Sequence, residues 1–278
     1  MTNKEILKSG RIGNKEESEP MMNKVRDELK DKGYKAELVD LVKNGTKVKA
    51  LVIKEKQITP AFTSDFFDEN ATVGENAERV LAEFEKTVPY ENKTDELTSP
   101  EFILHNIRIG LQRANNVDDE EKIIKRPSIF EGIEEYLLVI KGEVSYNLPM
   151  AVVRKTGLNL KELWWTAYKN TCKNAKSETI QEALGLGIIA SDTNMVILTN
   201  ESKFKGASAV INHELLKKVT KDYKCKKLIM LPSSIHEVIA IPCKENTDLE
   251  FYSHMVRECN KSVDQKEILS DRAYMIEI

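Results

Sequence analysis

The sequence predicts an α+β protein, with mixed or antiparallel sheets flanked by helices, in a small N-terminal module and a larger C-terminal one. Three observations predict it. Asn44-Gly45 sits between two strand-like runs, the arrangement of a tight hairpin. Residues 228–242, LIMLPSSIHEVIAIP, hold two short, bounded, partly β-branched apolar runs around a polar knot, a pair of buried strands. Between such runs lie stretches with apolar residues at helical spacing, such as Val80, Leu81, Phe84 and Val88.

Residues 1–19 are polar and offer little to bury, so a frayed N-terminus is expected. Pro20 opens a helix that carries Met22, Val25 and Leu29 on one face, and Gly33 stops it. Strands at 34–42 and 47–53 form the hairpin. Pro60 restricts 58–62 to an edge strand, and Ser64 or Asp65 caps a short turn bearing Phe66 and Phe67. A helix over 77–88 completes the N-terminal module, residues 20–95.

Residues 96–278 form the C-terminal domain. Phe102, Ile103, Ile107 and Leu111 place a helix over 100–113, and 136–140 is a strand. Residues 142–149 are a turn, and 150–153 a short apolar element. Asn159 caps a helix containing Leu160, Leu163, Trp164, Ala167 and Tyr168; of the adjacent Trp164 and Trp165, at least one faces the core. A short helix spans 177–184. Strand 194–199, the small-residue run Gly206 to Val210, and a helix over 213–223 lead to the central strand pair. A helix over 248–259, with Leu249, Tyr252, Met255, Val256 and Cys259 inward, precedes a last strand at 273–278. The order strand, turn, apolar run, helix at 137–168 echoes 195–223 and suggests a degenerate repeat.

Composition narrows the function. Hydrophobic residues make up 41% and charged residues 31% of 278, a soluble globular balance. No apolar run reaches the ~20 residues that cross a bilayer, and the first 20 residues lack a signal peptide's apolar core. A cytoplasmic protein with no membrane association is expected. A formal charge of −3 gives non-specific nucleic-acid binding no support. Cys172, Cys225, Cys243 and Cys259 are scattered, with no CxxC pair, and read as reduced structural thiols. His105, His213, His236 and His254 have no ligand-like spacing, so neither a metal nor another cofactor is implied.

The polar knot is the candidate site. Ser233, Ser234, His236 and Glu237 crowd into five residues at the end of two core strands. On a strand, Ser234 and His236 share a face, the pairing a hydroxyl nucleophile and imidazole base require. The orienting group then comes from elsewhere; Asp271 before the last strand is the candidate acid, with Asn260 as a neutral alternative. This catalytic set is Ser234, His236 and Asp271, a Ser/His hydrolase. Turn chemistry explains the same hydroxyls more simply. The leading reading is therefore a non-enzymatic binding module for a small ligand or a protein, contacted by Ser233, Ser234, His236, Glu237, Asn200, Asn260 and Ser270. Arg257 and Arg272 would add positive charge for an anionic ligand, although solvated surface roles suit them better.

Three stretches carry a resemblance to a known family. They are Val196 to Asn200 with Gly206-Ala207, Leu231 to Val238, and Met255 to Asn260 followed by Leu269-Ser270-Asp271. In order and spacing they resemble the bacterial family catalogued as domain of unknown function 5688. The N-terminal part is similar more loosely, through Asn44-Gly45 and Ile58-Thr59-Pro60. Lys125-Arg126-Pro127 stands where the family tends to have an aliphatic-Pro-x-Arg segment, and Cys259 where an aliphatic residue is usual. The resemblance implies a bacterial protein, often linked to mobile elements, with no assigned activity. A mobile-element accessory protein that binds a host protein is the third reading.

Overall fold

The computed structural model describes residues 18–44, 46–54, 60–86, 94–114, 123–142, 144–184, 194–232, 234–243 and 247–278. The fold is α+β, and among the described residues its three sheets are antiparallel. The chain divides into two compact units, Met1–Ser99 and Pro100–Ile278.

In the first unit, α1 (Ser18–Asp31) and α2 (Val73–Glu85) cover a sheet of β1 (Ala36–Lys43), β2 (Thr46–Ile53) and β3 (Phe62–Thr63). Asn44 takes the left-handed conformation (φ +46°) that a tight hairpin demands; Gly45 lies outside the described residues. Met22, Val25 and Leu29 of α1 bury against Ile53, Val80 and Phe84. α2 starts four residues before the expected position because Thr72 and Glu75 form a capping box, each side chain satisfying the other's main-chain N–H. Asn76, fully buried, fixes the preceding turn: it accepts from the Asp68 N–H and donates to the Asp68 and Thr72 carbonyls. The expected edge strand shrinks to two described residues at the sheet edge, with 55–59 outside the described residues. So do 1–17, nearly all of the expected frayed N-terminus.

α3 (Thr94–Leu97) is the last helix of the first unit, and the second unit begins with α4 (Pro100–Asn106). Here the expected helix over 100–113 is corrected. It ends at Asn106, and β4 (Ile107–Arg113) pairs along its whole length with β6 (Ile133–Lys141). Ile107, Ile109 and Leu111 recur at period two as well as fitting a helix, and a nine-residue strand partner decides between them. β5 (Lys125–Pro127) and β7 (Val144–Asn147) also pair with β6. The expected turn over 142–149 thus contains a strand, and the turn itself contracts around Gly142 (φ +58°).

α5 (Met150–Thr156) ends at Gly157 in the left-handed region, and Asn159 caps α6 (Leu160–Asn174) through the Lys161 and Glu162 amides. Leu163 and Ala167 are buried against Ile107, Ile109, Leu137 and Val139. Trp164 packs on that core beneath the Arg126 guanidinium, 4.0 Å from its ring centroid; Trp165 is 59% exposed. Residues 177–179 are not helical. They belong to β8 (Ala175–Thr179), and the capping box lies two residues on, where Thr179 and Glu182 open α7 (Ile180–Leu184).

The remaining strands are β9 (Val196–Asn200), β10 (Lys227–Leu231), β11 (Val238–Cys243) and β12 (Tyr274–Glu277). With β8 they form a sheet of order β12-β10-β11-β9-β8. Alternate residues of β10 face two cores. Leu228 and Met230 join Leu198, Val238 and the 3-10 turn Gly206–Ile211, while Ile229 and Leu231 meet Val256. Burial on both faces explains why these strands read as continuous apolar runs. α8 (His213–Asp222) covers the first face through Leu216 and Val219, and α9 (Leu249–Asn260) the second. The inward face of α9 is rotated from the expected one. Ser253, Val256 and Asn260 are buried, and Cys259 is exposed. Ser253 earns its place by accepting from the Ala273 N–H (3.0 Å) and donating to Leu249.

Candidate functional site

None of the described residues between Leu231 and Val238 belongs to a strand, so the alternation that would align Ser234 with His236 does not apply. The segment is instead laid against residues 267–270. Ile235 N–H donates to the Glu267 carbonyl (2.9 Å), Ser270 N–H to the Pro232 carbonyl (2.9 Å), and Ser234 bridges Ile268. Ser234 Oγ accepts from the His236 main-chain N–H (3.0 Å), a local turn contact. Ser233 lies outside the described residues.

The His236 ring, 25% exposed, is used twice. Nδ1 accepts from the Lys205 N–H (3.2 Å), so the neutral ring carries its proton on Nε2. Nε2 faces Glu267 Oε1 at 3.7 Å, and Phe204 lies beside the ring. The expected relay is therefore corrected at two places. The Ser234 hydroxyl meets main chain rather than imidazole, and the carboxylate beside the ring is Glu267, not Asp271. Asp271 pairs with Arg113 (3.0 Å) and accepts from Asn260 Nδ2 (2.8 Å). Asn260 also donates to the Ser270 carbonyl, while its buried Oδ1 has no partner among the described residues. Glu237 is half-buried and forms no ion pair among the described residues.

His236 and Gly206 hold the loop after β9. The His236 carbonyl accepts from Thr199 Oγ1 (2.9 Å), and Ala207 N–H donates to the Ile235 carbonyl. Within the loop, Asn200 donates to the Phe204 carbonyl and accepts from Ser202. Lys203 and Lys205 both have positive φ (+54° and +50°), a conformation that side chains with a Cβ adopt only when their surroundings impose it.

That loop forms one wall of a cavity of ≈ 190 Å³. Arg108 of β4, Thr171 and Asn174 of α6, and Ser208 of the 3-10 turn form the others, with Asn200 and Lys205 from the loop. Of the expected ligand-contacting residues, only Asn200 lines it. Ser234, His236, Asn260 and Ser270 stand behind the loop as one hydrogen-bonded support. Arg108 and Lys205 escaped sequence reasoning. Arg108 was hidden by the helical reading of β4, and nothing in the sequence marks Lys205 as left-handed.

The same loop is tied to β8 from the other side. Glu178 accepts from Lys203 (2.7 Å) and Lys176 (3.0 Å). The Lys203 hydrogen bond is the largest influence holding its carboxyl below the ordinary carboxylate value. A folded-state pKa below the unfolded one stabilises above the unfolded value, ~4.3, and that gain is lost as pH falls through the folded value. Glu178→Gln should therefore lower the melting temperature at neutral pH, and the gap to wild type should close as pH drops below about 4. A gap that persists unchanged into acid would show that Glu178 and Lys203 are not ionically coupled.

The chemistry of the remaining candidates is quiet. Burial raises the Cys172 and Cys225 thiols, which opposes thiolate formation. Arg257 pairs with Glu250 and Arg272 with Glu131, so neither offers spare charge. His105, His213 and His254 are exposed. Among the described residues no three His, Cys, Asp or Glu side chains converge on a metal position, and no helix is long and apolar enough to cross a membrane.

The three stretches around Gly206, His236 and Ser270 thus meet in one hydrogen-bonded cluster, which ties their order and spacing to a single structural unit. Residues 150–277 match DUF5688, a family of unknown function. No curated protein and no solved structure matches the chain. The DUF5688 segment runs from α5 to β12, and it supplies the loop, the 3-10 turn and the α6 wall of the cavity. Arg108 comes from β4, ahead of the matched residues.

Proposed function

We propose that the C-terminal unit is a binding module for a small ligand, and that the Pro232–Glu237 segment is its support rather than its contact surface. The observation that carries this reading is the hydrogen bond from the Lys205 N–H to His236 Nδ1. It fixes a conformationally costly loop residue at the wall of a polar cavity, and costs of that kind persist where a rigid arrangement is used. The cavity is lined by side chains from a strand, a helix, a loop and a 3-10 turn, the convergence expected of a preformed ligand site.

His236→Ala removes the acceptor for the Lys205 N–H. A cost of about 1 kcal/mol in stability is expected, with weaker retention of any ligand captured by wild type in a metabolite screen. His213→Ala, on the exposed start of α8, should change neither. Unchanged ligand retention by a folded His236→Ala protein would separate the segment from the cavity and overturn the reading.

A further inference from the structure

Arg108 is the unusual member of the cavity. Its guanidinium is half-buried, and burial pulls its pKa below the ordinary value, yet an arginine remains cationic at neutral pH. Nη1 donates to the His105 (3.3 Å) and Ile107 (2.9 Å) carbonyls. Nε and Nη2 have no acceptor among the described residues, and no carboxylate pairs with the group. Lys205 shares the condition. Its ammonium lies 5.5 Å from the Tyr136 ring centroid and 5.7 Å from that of Phe204, with no carboxylate partner among the described residues. Ser208, 3% exposed, also lines the cavity, and its hydroxyl makes no hydrogen bond among the described residues.

Partly desolvated charges are ordinarily paired. Among the described residues, these two cations and the hydroxyl lining one cavity have no counter-charge. The one carboxylate in the lining is Glu201, which is exposed. The residues carrying these donors come from three separate elements, β4, the 200–206 loop and the 3-10 turn. A tetrahedral oxyanion uses donors from several directions, whereas a carboxylate is best met in its plane. At ≈ 190 Å³ the cavity is smaller than the ~300 Å³ at which pockets for drug-sized ligands begin. We propose that this cavity binds the phosphate group of a small molecule through Arg108, Lys205 and Ser208. The proposal rests on the small-ligand reading above and names its chemical class.

The test is calorimetric titration of the full-length protein with inorganic phosphate, glycerol 3-phosphate and acetate at low ionic strength. Phosphate and glycerol 3-phosphate should bind; tighter binding of the ester would place the source among phosphorylated metabolites, and equal binding would place it with the free ion. Arg108→Gln should weaken binding by about tenfold or more, as expected for removal of a charged hydrogen-bond donor. Lys205→Asn should weaken it by a comparable factor. Asn tolerates the left-handed backbone, so this variant keeps the fold and guards against a misfolded Arg108→Gln protein. Arg257→Gln, outside the cavity, should bind as wild type does. Acetate binding as tightly as phosphate, or phosphate binding unaffected by both cavity variants, overturns the proposal. If a metabolite screen returns only uncharged ligands, the phosphate assignment falls and the binding module stands. If neither phosphate nor any metabolite binds, both fall.

Discussion

Gly206→Ala should lower the stability of the C-terminal unit by about 3 kcal/mol, at the upper end of what overpacking costs. A Cβ at this position would lie 2.6 Å from the His236 carbonyl oxygen, 2.8 Å from the Asn200 nitrogen and in still closer collision with Thr199 Oγ1. Two of the three obstacles are main chain, on β9 and on the segment beside β11, so neither a rotamer change nor a side-chain shift removes the clash. In a unit of this size, such a loss lowers the melting temperature by roughly 6–12 °C. The same displacement pushes His236 from the Lys205 amide and should abolish ligand binding in whatever fraction remains folded. Thermal denaturation with and without ligand reads both effects. A Gly206→Ala protein that melts like wild type would mean the two backbones separate freely here, and the support assigned to His236 would go with them.

The close approach at Gly206 was legible in part. Gly206-Ala207-Ser208-Ala209 is a run of small residues, and small residues mark a place where backbones meet. What they pack against was not legible, since Thr199, Asn200 and His236 reach it only through tertiary pairing. Strands with burial on one or both faces could be read from sequence: β1, β2, β10 and β11 each appear at their expected places. β4 could not, because Ile103, Ile107 and Leu111 sit four residues apart and satisfy a helix equally well. β7 was lost for a different reason, its four residues being too few for any period to register. On α9 a shift of one residue exchanged Cys259 for Asn260. Hydrophobicity favoured the thiol, while hydrogen bonds to the Ser270 carbonyl and Asp271 favour the amide. The orientation of the polar knot was not legible, because it depends on tertiary partners at 267–270 and 205. Its hydroxyl and imidazole turn toward main chain.

The second large effect lies on β4, two residues from Arg108. Gly110 on β4 stands opposite Tyr136 on β6, and the tyrosine ring lies over the space a side chain would fill. A Cβ at Gly110 would come within 2.5–2.8 Å of Tyr136 Cζ, Cε1 and Oη. Tyr136 is 5% exposed, and the Lys205 ammonium rests on its ring, so the ring cannot swing aside without disturbing both the core and the cavity. Gly110→Ala should therefore cost about 2 kcal/mol. That is a net figure, because alanine in a strand otherwise gains roughly 0.5–1 kcal/mol over glycine from reduced unfolded-state freedom. The obstacle is the far end of a side chain, so it can be removed by design. In a Tyr136→Leu background the same Gly110→Ala change should cost under about 0.5 kcal/mol or become favourable, giving a coupling of about 2 kcal/mol in a double-mutant cycle. Equal costs in the two backgrounds would mean that the ring does not seal Gly110. Tyr136→Leu alone also takes the π face from under Lys205, worth about 0.5–1 kcal/mol at a partly exposed site. That leaves the ammonium freer and should weaken phosphate binding several-fold without altering Arg108.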